Sequence, residues 1–170
     1  LVDATCSGAT TEHVLGPWKE LPPQLDSVDA TTRLVTITIG GNDVAFVGNI
    51  FAAACEGMTV PEPRCQPWRA VSEQEWRDDE QRMRTIVRDV RKRAPDSRIV
   101  LVDYITVLPP KGTCEAVPIT PERMAYSRGV AKRLARMTAK VARDERAELL
   151  KFSRLSKTHA PCSAMPWSNG

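Results

Sequence analysis

Two runs of β-branched and aliphatic residues, "RLVTITI" at 33–39 and "RIVLVDY" at 98–104, constrain the fold of this chain more than any other feature. Both are almost continuously apolar, without the polar alternation of a half-exposed strand, so each reads as a buried strand of a parallel sheet. Between them Ser72 and Glu75 make a capping box, and Trp76, Met83, Ile86, Val87 and Val90 recur at helical spacing until "RAPDS" ends the helix. Strand, helix, strand in that order calls for a right-handed crossover.

The same grammar continues downstream. Thr120 and Pro121 supply an N-cap and a first-turn proline for a long helix whose apolar stripe is Met124, Ser127, Val130, Ala131, Leu134, Met137 and Val141. "ELLKFSRLS" at 148–156 is the last candidate strand, and "VAFVGNIFAAAC" at 44–55 reads as a short buried helix. An α/β chain of 170 residues with 42% hydrophobic residues suits one domain with one core. Most of its 13 prolines gather at loops around 17–23, 61–67, 95 and 109–121.

Charge narrows the partners. With 24 basic and 21 acidic residues the chain carries only +3, too balanced for net charge alone to call for a nucleic-acid or membrane-surface partner. "RMRTIVRDVRKR" at 82–93 follows the acidic "EQEWRDDE", the order a helix dipole favours, and so reads as a solvated helix face. No apolar run reaches bilayer-spanning length, and "LVDATCSGAT" has no signal-peptide pattern.

The five cysteines, Cys6, Cys55, Cys65, Cys114 and Cys162, favour an oxidising compartment, and their wide spacing contains no close pair of the kind zinc sites use. Cys55 and Cys65 bracket a proline-rich loop that a local bridge would close, with Cys114 and Cys162 as a natural second pair and Cys6 left over. Spacing alone leaves every other pairing open.

One turn stands out chemically. "TITIGGNDVAF" at 36–46 runs a strand into two glycines, an Asn and an Asp, at the strand end where open α/β sheets place ligands. "CSGAT" at 6–10 and "SKTHAPC" at 156–162 are expected at the same sheet edge. Together with "QLDSV", "RAPDSRIVLVDY" and the terminal "HAPCSAMPWSNG", these motifs resemble the SGNH, or GDSL-type, hydrolases, in particular their secreted actinobacterial esterase and lipase branch.

That resemblance implies a three-layer α/β/α, flavodoxin-like fold with a mainly parallel sheet, and hydrolysis of a small-molecule or lipid ester without metal or cofactor. It implies His159 as general base, with the Gly8 backbone N–H and the Asn42 amide as oxyanion donors. Imidazole suits the first role because it titrates near neutrality, and an amide donates without titrating. His13 matches no family position.

Two departures follow. The family's nucleophilic serine lies in a GDS-type block upstream of the "CSGAT" block, and residues 1–170 contain no such block. The expectation is an N-terminally shortened domain whose first strand and serine lie upstream, and the leftover Cys6 points the same way. At the acid position, three residues before the histidine, stands Ser156. Its hydroxyl or a nearby main-chain carbonyl would have to fix the imidazole tautomer. Asp43 is read as a cap for the helix beginning at Val44. Segments 57–72 and 105–119 are expected to shape the acyl and alcohol pockets. The alternative to an esterase is an inactive SGNH-like binding or structural module.

Overall fold

The computed structural model describes residues 1–56 and 65–168. Three parallel strands, β1 (Leu34–Ile37), β2 (Arg98–Val102) and β3 (Glu148–Leu150), lie side by side in that order. The crossovers are the helices α3 (Glu73–Arg93) and α4 (Pro121–Asp144), preceded by α1 (Thr11–Leu15) and α2 (Phe46–Cys55) and followed by α5 (Phe152–Leu155). The class is therefore α/β with an all-parallel sheet, as expected.

Both long helices begin where the sequence says they should. The Ser72 hydroxyl accepts from Glu75 N–H while the Glu75 carboxylate accepts from Ser72 N–H at 2.8 Å, and the Thr120 hydroxyl accepts from Arg123 N–H. From α3 the core receives Trp76, Met83, Ile86, Val87 and Val90, and from α4 Met124, Val130, Leu134, Met137 and Val141. These meet Ile99 and Leu101 of β2, with each large aliphatic side chain contributing on the order of 2 kcal/mol by burial. Leu34 and Leu150 lie on the opposite sheet face and remain 54% and 43% exposed, with Arg98 and Glu148 paired beside them.

The elements nearest the sheet's C-terminal edge depart from the expectation. The last candidate strand stops at Leu150, and residues 152–155 turn helical because the Asp103 carboxylate reaches over from the end of β2. It accepts from Ser153 N–H and Oγ–H, both at 2.7 Å. Likewise α2 starts at Phe46 rather than Val44, since residues 41–45 form a turn that places Ala45 at φ +47°.

That turn explains the glycine pair. Gly40 sits at φ +97°, and a Cβ there would lie 2.8 Å from the Asp79 carboxylate of α3; a Cβ on Gly41 would lie 2.7 Å from the Tyr104 phenol. Gly40→Ala is expected to cost more than the ~1–2 kcal/mol of left-handed backbone alone, because the carboxyl beneath it must also move. A chemical-denaturation midpoint unchanged from the parent would refute this close packing.

Candidate active site

The loops that leave the C-terminal ends of the three strands are stitched to one another. After β1, Gly41 N–H donates to the Tyr104 hydroxyl at 2.9 Å, which ties the glycine turn to the loop after β2. Two residues on, Thr106 N–H donates to Ser156 Oγ at 2.9 Å and the Thr106 hydroxyl donates to the Ser153 carbonyl at 2.9 Å, tying the same loop to the segment after β3. Residues 103–106 thus hold the "GGND" turn and the histidine segment as neighbours.

The N-terminal loop joins at the first of these turns. Asn42 Nδ2 donates to the Ala9 carbonyl at 2.7 Å, and Asp43, its side chain only 2% exposed, accepts from Thr11 N–H and Oγ–H and from Arg82 at 3.2 Å. Asp43 therefore caps α1 rather than α2: the charge goes to the helix whose start lies beside it in space, since Ala45 occupies the α2 cap position. Gly8 lies at φ +88° in a tight turn closed by Ala9 N–H on the Cys6 carbonyl at 3.0 Å, so glycine has a backbone reason to be there. Asn42 spends one of its two amide protons on Ala9 and remains exposed.

His159 is half-buried, with its ring stacked on Trp167 at 4.2 Å and 5°. Its Nδ1 lies 2.7 Å from the Met165 carbonyl. A carbonyl only accepts, so Nδ1 carries a proton, and in the neutral ring Nε2 is then the nitrogen with the lone pair. The Ser156 hydroxyl does not perform this task. It is fully buried and engaged with Thr106 and the Phe152 carbonyl, and only its main chain touches His159, by accepting His159 N–H at 2.9 Å. Ser156 as a side-chain substitute for the acid is thus corrected. A hydroxyl three residues before the ring closes the helical turn below it, while chain from the other direction reaches the imidazole.

The histidine segment is pinned a second time by Cys114–Cys162, and Cys55–Cys65 closes the loop after α2; Cys6 is free. On a chain-entropy model the two bridges are worth about 4 and about 3 kcal/mol. Loop 105–119 is held by the first bridge and by Arg128, which donates to the Pro109 carbonyl at 2.8 Å. Residues 57–64, expected to shape a pocket, lie outside the described residues; Trp68 and Arg69 beyond them pack on Tyr126 and Asn49. His13 caps α1 through Thr10 and stacks on Trp18 at 4.6 Å, consistent with its lack of a family counterpart. Among the described residues no hydrogen bond joins His159 to Asn42 or Gly8, and no cluster of metal-ligating side chains occurs.

Sequence reasoning missed Asp79 and Tyr104. Asp79 is fully buried beneath the glycine turn without a hydrogen-bond partner among the described residues. Burial pushes its carboxyl up to about 8, with the Asp43 carboxylate adding to the rise and Arg82 opposing it. The half-buried Tyr104 is pushed up to about 12, chiefly by removal of its phenol from water. Asp79 falls on the helical repeat three and four residues from Trp76 and Met83, and that register was the only signal available.

Parallel strands, helical crossovers and edge loops of this kind define an open α/β scaffold with its candidate site at the C-terminal sheet edge. The model of the GDSL-like Lipase/Acylhydrolase family matches residues 1–170, and this chain belongs to that family. It is 30% identical over 162 residues to a lipase of Streptomyces rimosus, covering 95% of this chain and 57% of that protein. To Lipase 2 of Streptomyces coelicolor it is 28% identical, covering 96% of this chain and 59% of that one. Among solved structures it is similar to the extracellular lipase of S. rimosus, with a TM-score of 0.73 at 26% identity over 95% of this chain and 65% of the other. Phospholipase A1 of Streptomyces albidoflavus gives 0.71 at 25% identity over 95% and 64%. The chain therefore spans less than two thirds of the length of these relatives.

The buried acid makes a pH prediction. Asp79 holds its proton up to about pH 8 in the folded chain, whereas in the unfolded chain it loses it near the ordinary 3.8. Between those values the folded state binds more protons, so stability falls as pH rises, by at most about 1.4 kcal/mol per pH unit. Thermal melts from pH 5 to 8 should show that slope in the parent chain and lose it in Asp79→Asn; parallel slopes would exclude Asp79 as the cause. Ser156→Ala, which strips the half-buried Thr106 N–H of its acceptor, should cost about 1–3 kcal/mol in the same assay.

Proposed function

We propose that this domain is part of a secreted carboxylic-ester hydrolase acting on a lipid or small-molecule ester. His159 is its general base, Asn42 and the Gly8 backbone N–H are its oxyanion donors, and the nucleophilic serine comes from outside residues 1–170. The observation that carries the reading is the Met165 carbonyl on His159 Nδ1, which leaves Nε2 as the basic nitrogen in the absence of an acid three residues upstream. Family membership and relatives named as lipases support the ester chemistry. The two disulfides, and the extracellular lipase among the structural relatives, support secretion.

In this reading the serine oxygen attacks the ester carbonyl as its proton passes to His159 Nε2, forming the new C–O bond and a tetrahedral oxyanion. Asn42 and Gly8 donate to that oxygen, and the imidazolium returns the proton to the departing alcohol as the ester C–O bond breaks. Water then repeats the sequence on the acyl-enzyme and releases the acid. The Met165 carbonyl, a dipole instead of a charge, orients the ring and partly offsets the imidazolium charge.

A fluorophosphonate probe tests the assignment directly. Residues 1–170 alone should take up no adduct, whereas the full-length protein should be labelled at one serine upstream of Leu1. There His159→Ala should abolish most ester turnover, and Asn42→Ala should slow it on the order of 100-fold. Turnover unchanged in either variant removes that residue from the mechanism. A full-length protein that neither labels nor hydrolyses esters would establish the inactive binding module instead.

A further inference from the structure

Beside His159 the surface becomes at once apolar and cationic. Leu155, Met165 and Trp167 are 55%, 69% and 51% exposed. They are linked side by side: Trp167 stacks on the His159 ring and lies 6.0 Å from Phe152, and Leu155 follows Phe152 by three residues on the single turn of α5. Lys151, Arg154 and Lys157, all exposed, border the same turn.

Carboxylates are scarce here. From Leu149 to Gly170 the sequence contains no Asp or Glu. Of the nearest upstream acids, Glu148 is paired with Arg98 and Asp103 is buried against Ser153. The loop joined through Cys114–Cys162 contributes Lys111 and Glu115, which offset each other. No ion pair engages Lys151, Arg154 or Lys157 among the described residues, whereas α3 and α4 spend most of their cations on neighbouring acids.

We propose that this face is a docking surface for an anionic lipid surface, with Leu155, Met165 and Trp167 entering the headgroup and acyl boundary and the three cations meeting lipid phosphates. Exposed tryptophan and aliphatic side chains rimmed by unpaired cations are the composition that lipid interfaces select. The inference rests on the ester-hydrolase reading only in what it adds to it: a membrane docked here would present its esters beside His159.

Flotation with ether-linked lipids tests the surface without any hydrolysis, so an inactive chain gives the same answer as an active one. The protein should float with vesicles of equal parts phosphatidylcholine and phosphatidylglycerol, lose binding to phosphatidylcholine alone, and lose it as salt rises. Joint replacement Lys151→Gln, Arg154→Gln and Lys157→Gln should weaken binding on the order of 100-fold, at roughly a factor of five per cation. Leu155→Ser should weaken it on the order of 10-fold, and circular dichroism checks that both variants stay folded.

A charge-matched control, Lys19→Gln with Lys132→Gln and Arg136→Gln, removes three exposed cations elsewhere and should change binding less than about twofold. Failure of the parent protein to bind the mixed vesicles overturns the proposal. So does an equal effect of the control, which would reduce the attraction to net charge.

Discussion

The carboxylate of Asp43 holds three separate pieces of chain together. It sits at the end of the glycine turn after β1, accepts from the first N–H and the hydroxyl of α1 at Thr11, and meets Arg82 from the middle of α3. A buried anion is tolerable only with such partners, and one placed between a helix N-terminus and a guanidinium has both charge and hydrogen bonds satisfied. From that anchor Asn42 reaches the Ala9 carbonyl, so the two loops proposed to carry the oxyanion donors depend on one buried charge. Below them Asp79 has no such partner among the described residues, and burial keeps it a neutral acid under the turn.

The second constraint is the loop after β2. Asp103, Tyr104 and Thr106 bond in turn to the α5 start, the glycine turn and Ser156, so neighbouring strand ends share one connector. This is what a parallel sheet offers: all strands end on the same edge, and loops distant in sequence become neighbours there. Cys114–Cys162 fixes the outer side of that arrangement, and His159 lies between the connector and the disulfide, its ring held by Trp167 and Met165. In the proposed mechanism, packing and a main-chain dipole take over the orienting task of the acid position.

Much of this was legible in the chain. The first two strands, the crossover helices and their caps at Ser72 and Thr120 follow from periodicity and capping chemistry, which are local properties, whereas the two disulfides are pairs that spacing had left open among others. The missed features share one character. Asp43 caps α1 instead of α2, Asp103 turns residues 152–155 helical, and Ser156 bonds Thr106 instead of His159. Each polar side chain takes a partner 32 or 50 residues away, Ser156 in addition to the nearby Phe152 carbonyl, and no local pattern encodes that choice.

The sequence by itself therefore determined the elements, their α/β order and the residue types at the sheet edge, because hydrophobic period and backbone propensity act within a few residues. Only the tertiary structure decided which hydrogen-bonding groups meet. The Met165 carbonyl reaches the His159 ring, and the Tyr104 hydroxyl and Asp79 carboxyl sit against the two glycines. Buried polar groups must take whatever complementary group the packed backbone brings within about 3 Å, and that geometry exists only once the chain has folded.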